Sequence, residues 1–286
     1  MAAWAAALTA GTAAVPAAQA DASTGHGPHA GAPHPASPLQ SANPLQFAHP
    51  LQFGHARRGA NRTSTNWAGY AATGGSFTTV GASWVEPDVT CTSTGIVAFW
   101  VGLDGWGSDT VEQDGTGVDC THGTPRHFAW WETYPVNSIQ QYSDPVAVGD
   151  HLSSTVTAQA GGVYELVLTD ATQGWTERNL AHLAGAADAS AEIVAEAVTA
   201  GDNVTPLPDF HSAAFTGATV DGVAAPAAGA VPVDMTDQFG ARIAQTQRAD
   251  TAGDFQVDYT GSTLGQTVSR TPRTTKTSSR PSAARR

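Results

Sequence analysis

Cysteine and positive charge are in short supply along this chain: two Cys in 286 residues, and 13 Lys and Arg against 25 Asp and Glu. The shortage of bases is concentrated. Residues 61–262 carry five basic against 24 acidic side chains, whereas residues 263–286 carry six basic and no acidic ones. An acidic body repels phosphate backbones, which excludes nucleic acid as a partner. No segment after the N-terminal stretch reaches the roughly 20 apolar residues that cross a bilayer, so no membrane association is expected of the mature chain. The usual hydrolase signatures are missing as well: no HExxH, no GxSxG, no Gly-rich phosphate loop, and no Asp-Thr-Gly or Asp-Ser-Gly triplet. His122, His127, His151, His182 and His211 are scattered without metal-ligand spacing, so neither a metal nor any other cofactor is expected.

The negative charge that is present suits an acid environment. Carboxyl groups titrate near about 4, and at that pH much of the self-repulsion of residues 61–262 would vanish. The start of the chain points to export. Residues 1–20 read as a signal peptide ending in the small-x-small triplet Ala18-Gln19-Ala20, although a basic n-region is missing and Pro16 interrupts the apolar run. A secreted protein oxidises its thiols, so Cys91 and Cys120 are expected to form one disulfide worth roughly 3 kcal/mol; two buried free thiols are the alternative. Residues 21–60 are rich in His and Pro, repeat PLQ at Pro38, Pro44 and Pro50, and end near Arg57-Arg58. That composition cannot build a core and reads as a propeptide or a linker. Residues 263–286 form a basic, Ser/Thr-rich tail for which disorder is expected.

Between them, residues 61–262 read as one β domain. Short runs rich in Val, Thr, Trp and Phe are punctuated every eight to twelve residues by Gly, Pro or Asp, the spacing of a sandwich or barrel. The clearest hairpin turns at Gly161-Gly162, with Leu152, Ser154, Val156 and Ala158 alternating before it and Tyr164, Leu166 and Leu168 after it. Residues 186–200 are ambiguous, because their Ala and Glu content favours a helix. Either geometry keeps Glu192 and Glu196 on one face.

Five segments concentrate aromatic, acidic and amide side chains: STNWAGY at 64–70, FWVGLDG at 99–105, TVEQDGTG at 110–117, AWWETYP at 129–135 and AEIVAEAV at 191–198. In that order they resemble the glutamic peptidases, or eqolisins, which are pepstatin-insensitive acid endopeptidases. The resemblance implies an all-β, antiparallel two-sheet β-sandwich of jelly-roll or concanavalin-like form. It implies a catalytic pair at Gln113 and Glu196, cleft residues at Trp67, Trp100, Asp104, Glu132 and Tyr134, and polypeptide substrates cut by a secreted monomer. Two departures stand out: the family's Q-T-G reads Gln113-Asp114-Gly115, and Phe128 replaces an acidic residue common before the A-W-x-E segment.

The chemistry agrees with that pairing. A carboxyl near its pKa is base and acid in turn, whereas histidine is already protonated in acid. The Gln amide donates at any pH, which suits an oxyanion. Because strand neighbours alternate, Glu112 should face away from whatever Gln113 faces. Trp84 and Trp131 fit a core, and Trp67, Trp100 and Trp130 a groove. Two rival readings remain: a jelly-roll glycosidase using Asp104, Glu112 and Glu132, and a lectin-like module stacking sugar on Trp100 and Trp130.

Overall fold

The computed structural model describes residues 51–52, 56 and 62–261. The expected signal peptide, most of the 21–60 leader with Arg57-Arg58, and the 263–286 tail lie outside the described residues. The strands are, in chain order, β1 (Leu51–Gln52), β2 (Thr63–Ser64), β3 (Trp67–Thr73), β4 (Thr79–Val85), β5 (Ile96–Asp104), β6 (Val111–Asp119) and β7 (Arg126–Tyr134). Then follow β8 (Asn137–Gln141), β9 (His151–Gln159), β10 (Val163–Asp170), β11 (Trp175–His182), β12 (Ser190–Ala197), β13 (Thr199–Ala200) and β14 (Asn203–Val204). The last are β15 (Ser212–Val220), β16 (Val223–Ala224), β17 (Val231–Thr236), β18 (Arg242–Thr246) and β19 (Phe255–Tyr259). No helix occurs among the described residues, and so none that is long and apolar enough to cross a membrane.

These strands build two antiparallel sheets packed face to face. The front sheet runs β17-β3-β12-β5-β6-β7-β8, and the back sheet runs β11-β10-β9-β4-β15-β19-β18-β17. Strand β17 belongs to both. Val231–Val233 pair with β3, and Met235 and Thr236 pair with β18. The sandwich expected from strand spacing is therefore present, with one strand turning the corner between its layers.

Alternation fills the space between the sheets. Phe99, Val101 and Leu103 of β5 and Ile193 of β12 point back into one buried cluster with Trp84 of β4, Val156 of β9 and Leu166 of β10. In the β9–β10 hairpin Val156 lies opposite Leu166, and the turn uses left-handed φ of 81° at Gly161 and 73° at Gly162, where only a residue without Cβ is unstrained.

Segment 190–197 resolves as a strand despite its helical composition. Strand β12 pairs with β3 on one edge and β5 on the other, and Ala191, Ile193 and Ala195 alternate into the core. Tertiary burial overrides a propensity that is worth only tenths of a kcal/mol per residue.

Cys91 and Cys120 are bonded, with Cα atoms 5.3 Å apart at a sequence separation of 29. The bridge ties the segment before β5 to the end of β6. Replacing Cys91 by Ser is expected to cost about 3 kcal/mol, read as a lower urea midpoint with an increased unfolding slope as the unconstrained denatured chain expands.

Candidate active site

The register of the front sheet lines its outward side chains into rows. One row runs Glu192 on β12, Gly102 on β5, Gln113 on β6 and Glu132 on β7. The next holds Val194, Trp100, Gly115 and Trp130, and a third holds Trp67, Glu196, Ala98, Gly117 and Phe128. Glycines let the large side chains lie across this face. A Cβ at Gly102 would sit 2.9 Å from Gln113 Cβ, and one at Gly115 would sit 2.7 Å from Trp100 Cβ. Gly102→Ala is therefore expected to push the Gln113 side chain aside and to lower activity more than stability, measured as kcat against melting temperature.

Both carboxylate oxygens of Glu196 are held. Asn66 Nδ2 donates to Oε1 at 3.2 Å, and Trp100 Nε1 donates to Oε2 at 2.9 Å. Asn66 is itself oriented, because the Ser64 hydroxyl donates to Asn66 Oδ1 at 2.8 Å and leaves the amide N–H₂ aimed at Glu196. These donors fix the plane of the carboxylate.

Gln113 is held by the neighbouring strand. Its Nε2 donates to Glu132 Oε2 at 2.9 Å, while Oε1 is buried without a hydrogen-bond partner. Burial pushes the Glu132 carboxyl up to about 8; the hydrogen bond from Gln113 opposes that shift and the charge of Glu196 adds to it. Glu196 stands two rows from Gln113 in the register of the sheet, and its charge is felt at Glu132. Gln113, Glu196, Trp67 and Trp100 have no exposed surface.

Other expected site residues have different duties. Asp104 holds the loop before β12: Oδ2 accepts from Thr110 Oγ1 and the N–H groups of Ala187 and Asp188, and Oδ1 accepts from the N–H of Ala189. It adopts a left-handed φ of 66° at the end of β5 and fixes the loop that feeds β12. Tyr134, at the end of β7, is partly exposed at the rim. Glu112 takes the opposite face from Gln113, as alternation requires. Trp84 lies in the main core and Trp131 packs against it, whereas Trp67, Trp100 and Trp130 lie on the front face.

Sequence reasoning missed two residues. Asn66 could have been noticed only as a polar neighbour of Trp67. Glu192 shares a row with Gln113 and is fully buried; desolvation raises its carboxyl well above the ordinary range, against the pull of the Ser190 hydroxyl.

Carboxyl groups are also buried beneath this face. Oxygens of Asp104, Glu112 and Asp188 lie within 4.8 Å of one another. Asp104 is already saturated by loop donors, Asp188 accepts from the Tyr164 hydroxyl at 2.6 Å, and burial pushes Glu112 up to about 9. The oxygens of Asp104 and Asp188 are thus already engaged by protein donors. Asp114, which accepts from Ser154 Oγ, is pushed up to about 7 by burial. Glu86 is also raised by burial, against the pull of His127 Nδ1 at 2.7 Å and of Thr116 Oγ1 at 2.6 Å.

The family model of the peptidase A4 family matches residues 65–278. The chain belongs to the peptidase A4 family. It is 27% identical to aspergillopepsin-2 of Aspergillus niger over 180 residues, 54% of this chain and 64% of that protein. It is 31% identical to scytalidopepsin B of Scytalidium lignicola over 110 residues, 38% of this chain and 42% of that protein. The chain thus spans less than two thirds of the length of these curated relatives. Among solved structures, scytalido-glutamic peptidase with a transition state analog inhibitor superposes with a TM-score of 0.58 at 21% identity, covering 68% of this chain and 98% of that one. Aspergilloglutamic peptidase from Aspergillus niger gives 0.51 at 24% identity, covering 58% and 99%. These likenesses establish that this peptidase A4 member shares their β-sandwich.

Proposed function

We propose that this peptidase A4 member is a secreted acid endopeptidase in which Glu196 activates a water and Gln113 stabilises the oxyanion. The observation that carries this reading is the pair of fixed polar groups on one buried face: a carboxylate clamped by Asn66 and Trp100, and a carboxamide clamped by Glu132. An amide nitrogen has two N–H groups. Gln113 gives one to Glu132 and keeps the other for a substrate carbonyl oxygen as it gains charge. Glu196 takes a proton from the water as it attacks the carbonyl carbon. The same proton then passes to the departing amine as the C–N bond breaks. Fixed donors need no reorganisation during the reaction, which is the source of their advantage over solvent.

The glycan readings lose their platform here. Trp100 spends its indole N–H on clamping Glu196, and the peptidase A4 match over residues 65–278 favours the peptidase over both of them.

Latency follows from the upstream residues. Strand β1 pairs with β13, just past the Ala197 end of β12, and Ala56 N–H bonds Gly105 O at 3.1 Å, past the opposite end of β5. Ala56 packs on the tryptophan-rich front face between them. We read residues 21–60 as a propeptide, rather than a linker, that must leave before a polypeptide can enter.

The test is digestion of denatured haemoglobin or casein in acid, with intact-mass analysis of the protein itself. Acid incubation is expected to remove the leader and release activity that pepstatin does not block. Gln113→Ala is expected to lower kcat by about 10²–10³. A protein that stays full length and yet digests as fast as the shortened form refutes the latency, and one inert toward polypeptides in acid refutes the peptidase.

A further inference from the structure

The front face carries a second apolar cluster, separate from the sandwich core: Ile96, Ala98, Phe128, Val194 and Val198 beside the three tryptophans of the cleft. Apolar side chains on the outer face of a sheet need a cover, and Ala56, Trp106 and Ile139 pack against them here. Their position relative to Glu196 is set by the third row. Crossing the sheet from Glu196, the face presents a methyl at Ala98, a hydrogen at Gly117 and then the Phe128 ring. A Cβ at Gly117 would lie 2.5 Å from Phe128 Cζ, so the ring rests directly on that glycine. The ring therefore lies over the Gly117 strand, and it faces the carboxylate across the single strand that carries Ala98, a floor with one methyl. The row on one side holds Trp100 and Trp130, and the row on the other holds Ile96, Asp119 and Arg126.

We propose that the trough floored by Ala98 and walled by Phe128 is a specificity subsite that takes an apolar side chain of the substrate next to the bond cut at Glu196. The inference rests on the peptidase reading and names its substrate class: polypeptides with a bulky apolar residue at one fixed position beside the scissile bond. The Ala98 methyl and the Phe128 ring offer no donor or acceptor, so a charged or amide side chain laid on them would lose its water without replacement. A small one would leave the trough half filled. Phe128 is the specificity-determining residue because it is the ring that faces Glu196 across the floor.

The experiment digests a mixed peptide library with the acid-activated protein and maps cut sites by mass spectrometry. Paired peptides differing by Leu or Ala at the preferred position then give kcat/KM ratios. Wild type is expected to enrich Leu, Ile, Phe and Met at one position within about two residues of the cut, to exclude Asp and Lys there, and to favour Leu over Ala by about 10–100-fold. Phe128→Ala is expected to bring that ratio down to within about threefold. Gly117→Ala, which drives the ring into the trough, is expected to penalise the largest side chains first, and it gives an answer even if Phe128→Ala fails to fold. A flat wild-type profile, or a ratio unmoved by the foldable variant, overturns the subsite while leaving the peptidase intact. No cleavage of any peptide by wild type overturns both.

Discussion

Glu196→Gln is expected to lower kcat on denatured protein substrates by about 10³–10⁴, because the same group serves as base and then as acid. The substitution keeps size and shape, and the remaining carbonyl oxygen still accepts from one of the two clamping donors, Asn66 and Trp100. Its melting temperature in acid should therefore stay within a few degrees of the parent. Activity and circular dichroism measured on the same sample separate the two effects. A variant that folds and retains more than a tenth of the parent rate means that the proton moves elsewhere, with Glu132, which feels the charge of Glu196, the alternative in the face. The matching Glu132→Gln variant then distinguishes the two carboxyls.

Stability is expected to be greatest at or below pH 4 and to fall as pH rises, the reverse of ordinary acid denaturation. Burial holds Glu112 at about 9, Glu132 at about 8 and Asp114 at about 7 in the folded protein, whereas the unfolded chain ionises the same groups near 4. Below the unfolded values both states hold the protons, and these groups exert no pull. Above them the unfolded state releases protons that the folded state keeps, and each group disfavours folding by about 1.4 kcal/mol per pH unit until its folded value is reached. Domain stabilities are typically about 5–15 kcal/mol, so three such groups are enough to bring unfolding into the neutral range. Thermal melts between pH 3 and pH 9 should show a steep fall above about pH 5. Glu112→Gln cannot ionise and should raise the melting temperature at neutral pH while changing it little in acid. A parent protein most stable near pH 7 contradicts this account.

The sequence disclosed one kind of information well and another poorly. Alternation and glycine spacing exposed the β9–β10 hairpin, the sandwich class and the opposed directions of Glu112 and Gln113, because those depend on neighbours a few positions away. Strand β12 was ambiguous because its Ala and Glu residues favour a helix until β3 and β5 flank it. The duty of Asp104 could not be read at all, since its partners at Ala187–Ala189 are more than 80 positions downstream. Glu192 was visible as a carboxylate in a strand, but its place opposite Gln113 required the register of two intervening pairings. The two departures from the family motifs now have physical content: Asp114 turns into the core toward Ser154, and Phe128 forms the apolar wall of the cleft.

Strand β17 works as the spine of a book. Because it is shared by both layers, the sheets cannot part along that margin without breaking its ladders to β3 and β18. Among the described residues their far margins end at β8 and β11, where a clasp joins the covers: Asn179 Nδ2 donates to the Tyr142 hydroxyl at 2.6 Å, and Trp175 Nε1 donates to Pro145 O at 2.9 Å. The layers are thus bound along both margins, and parting them must break either the ladders of the spine or the two hydrogen bonds of the clasp.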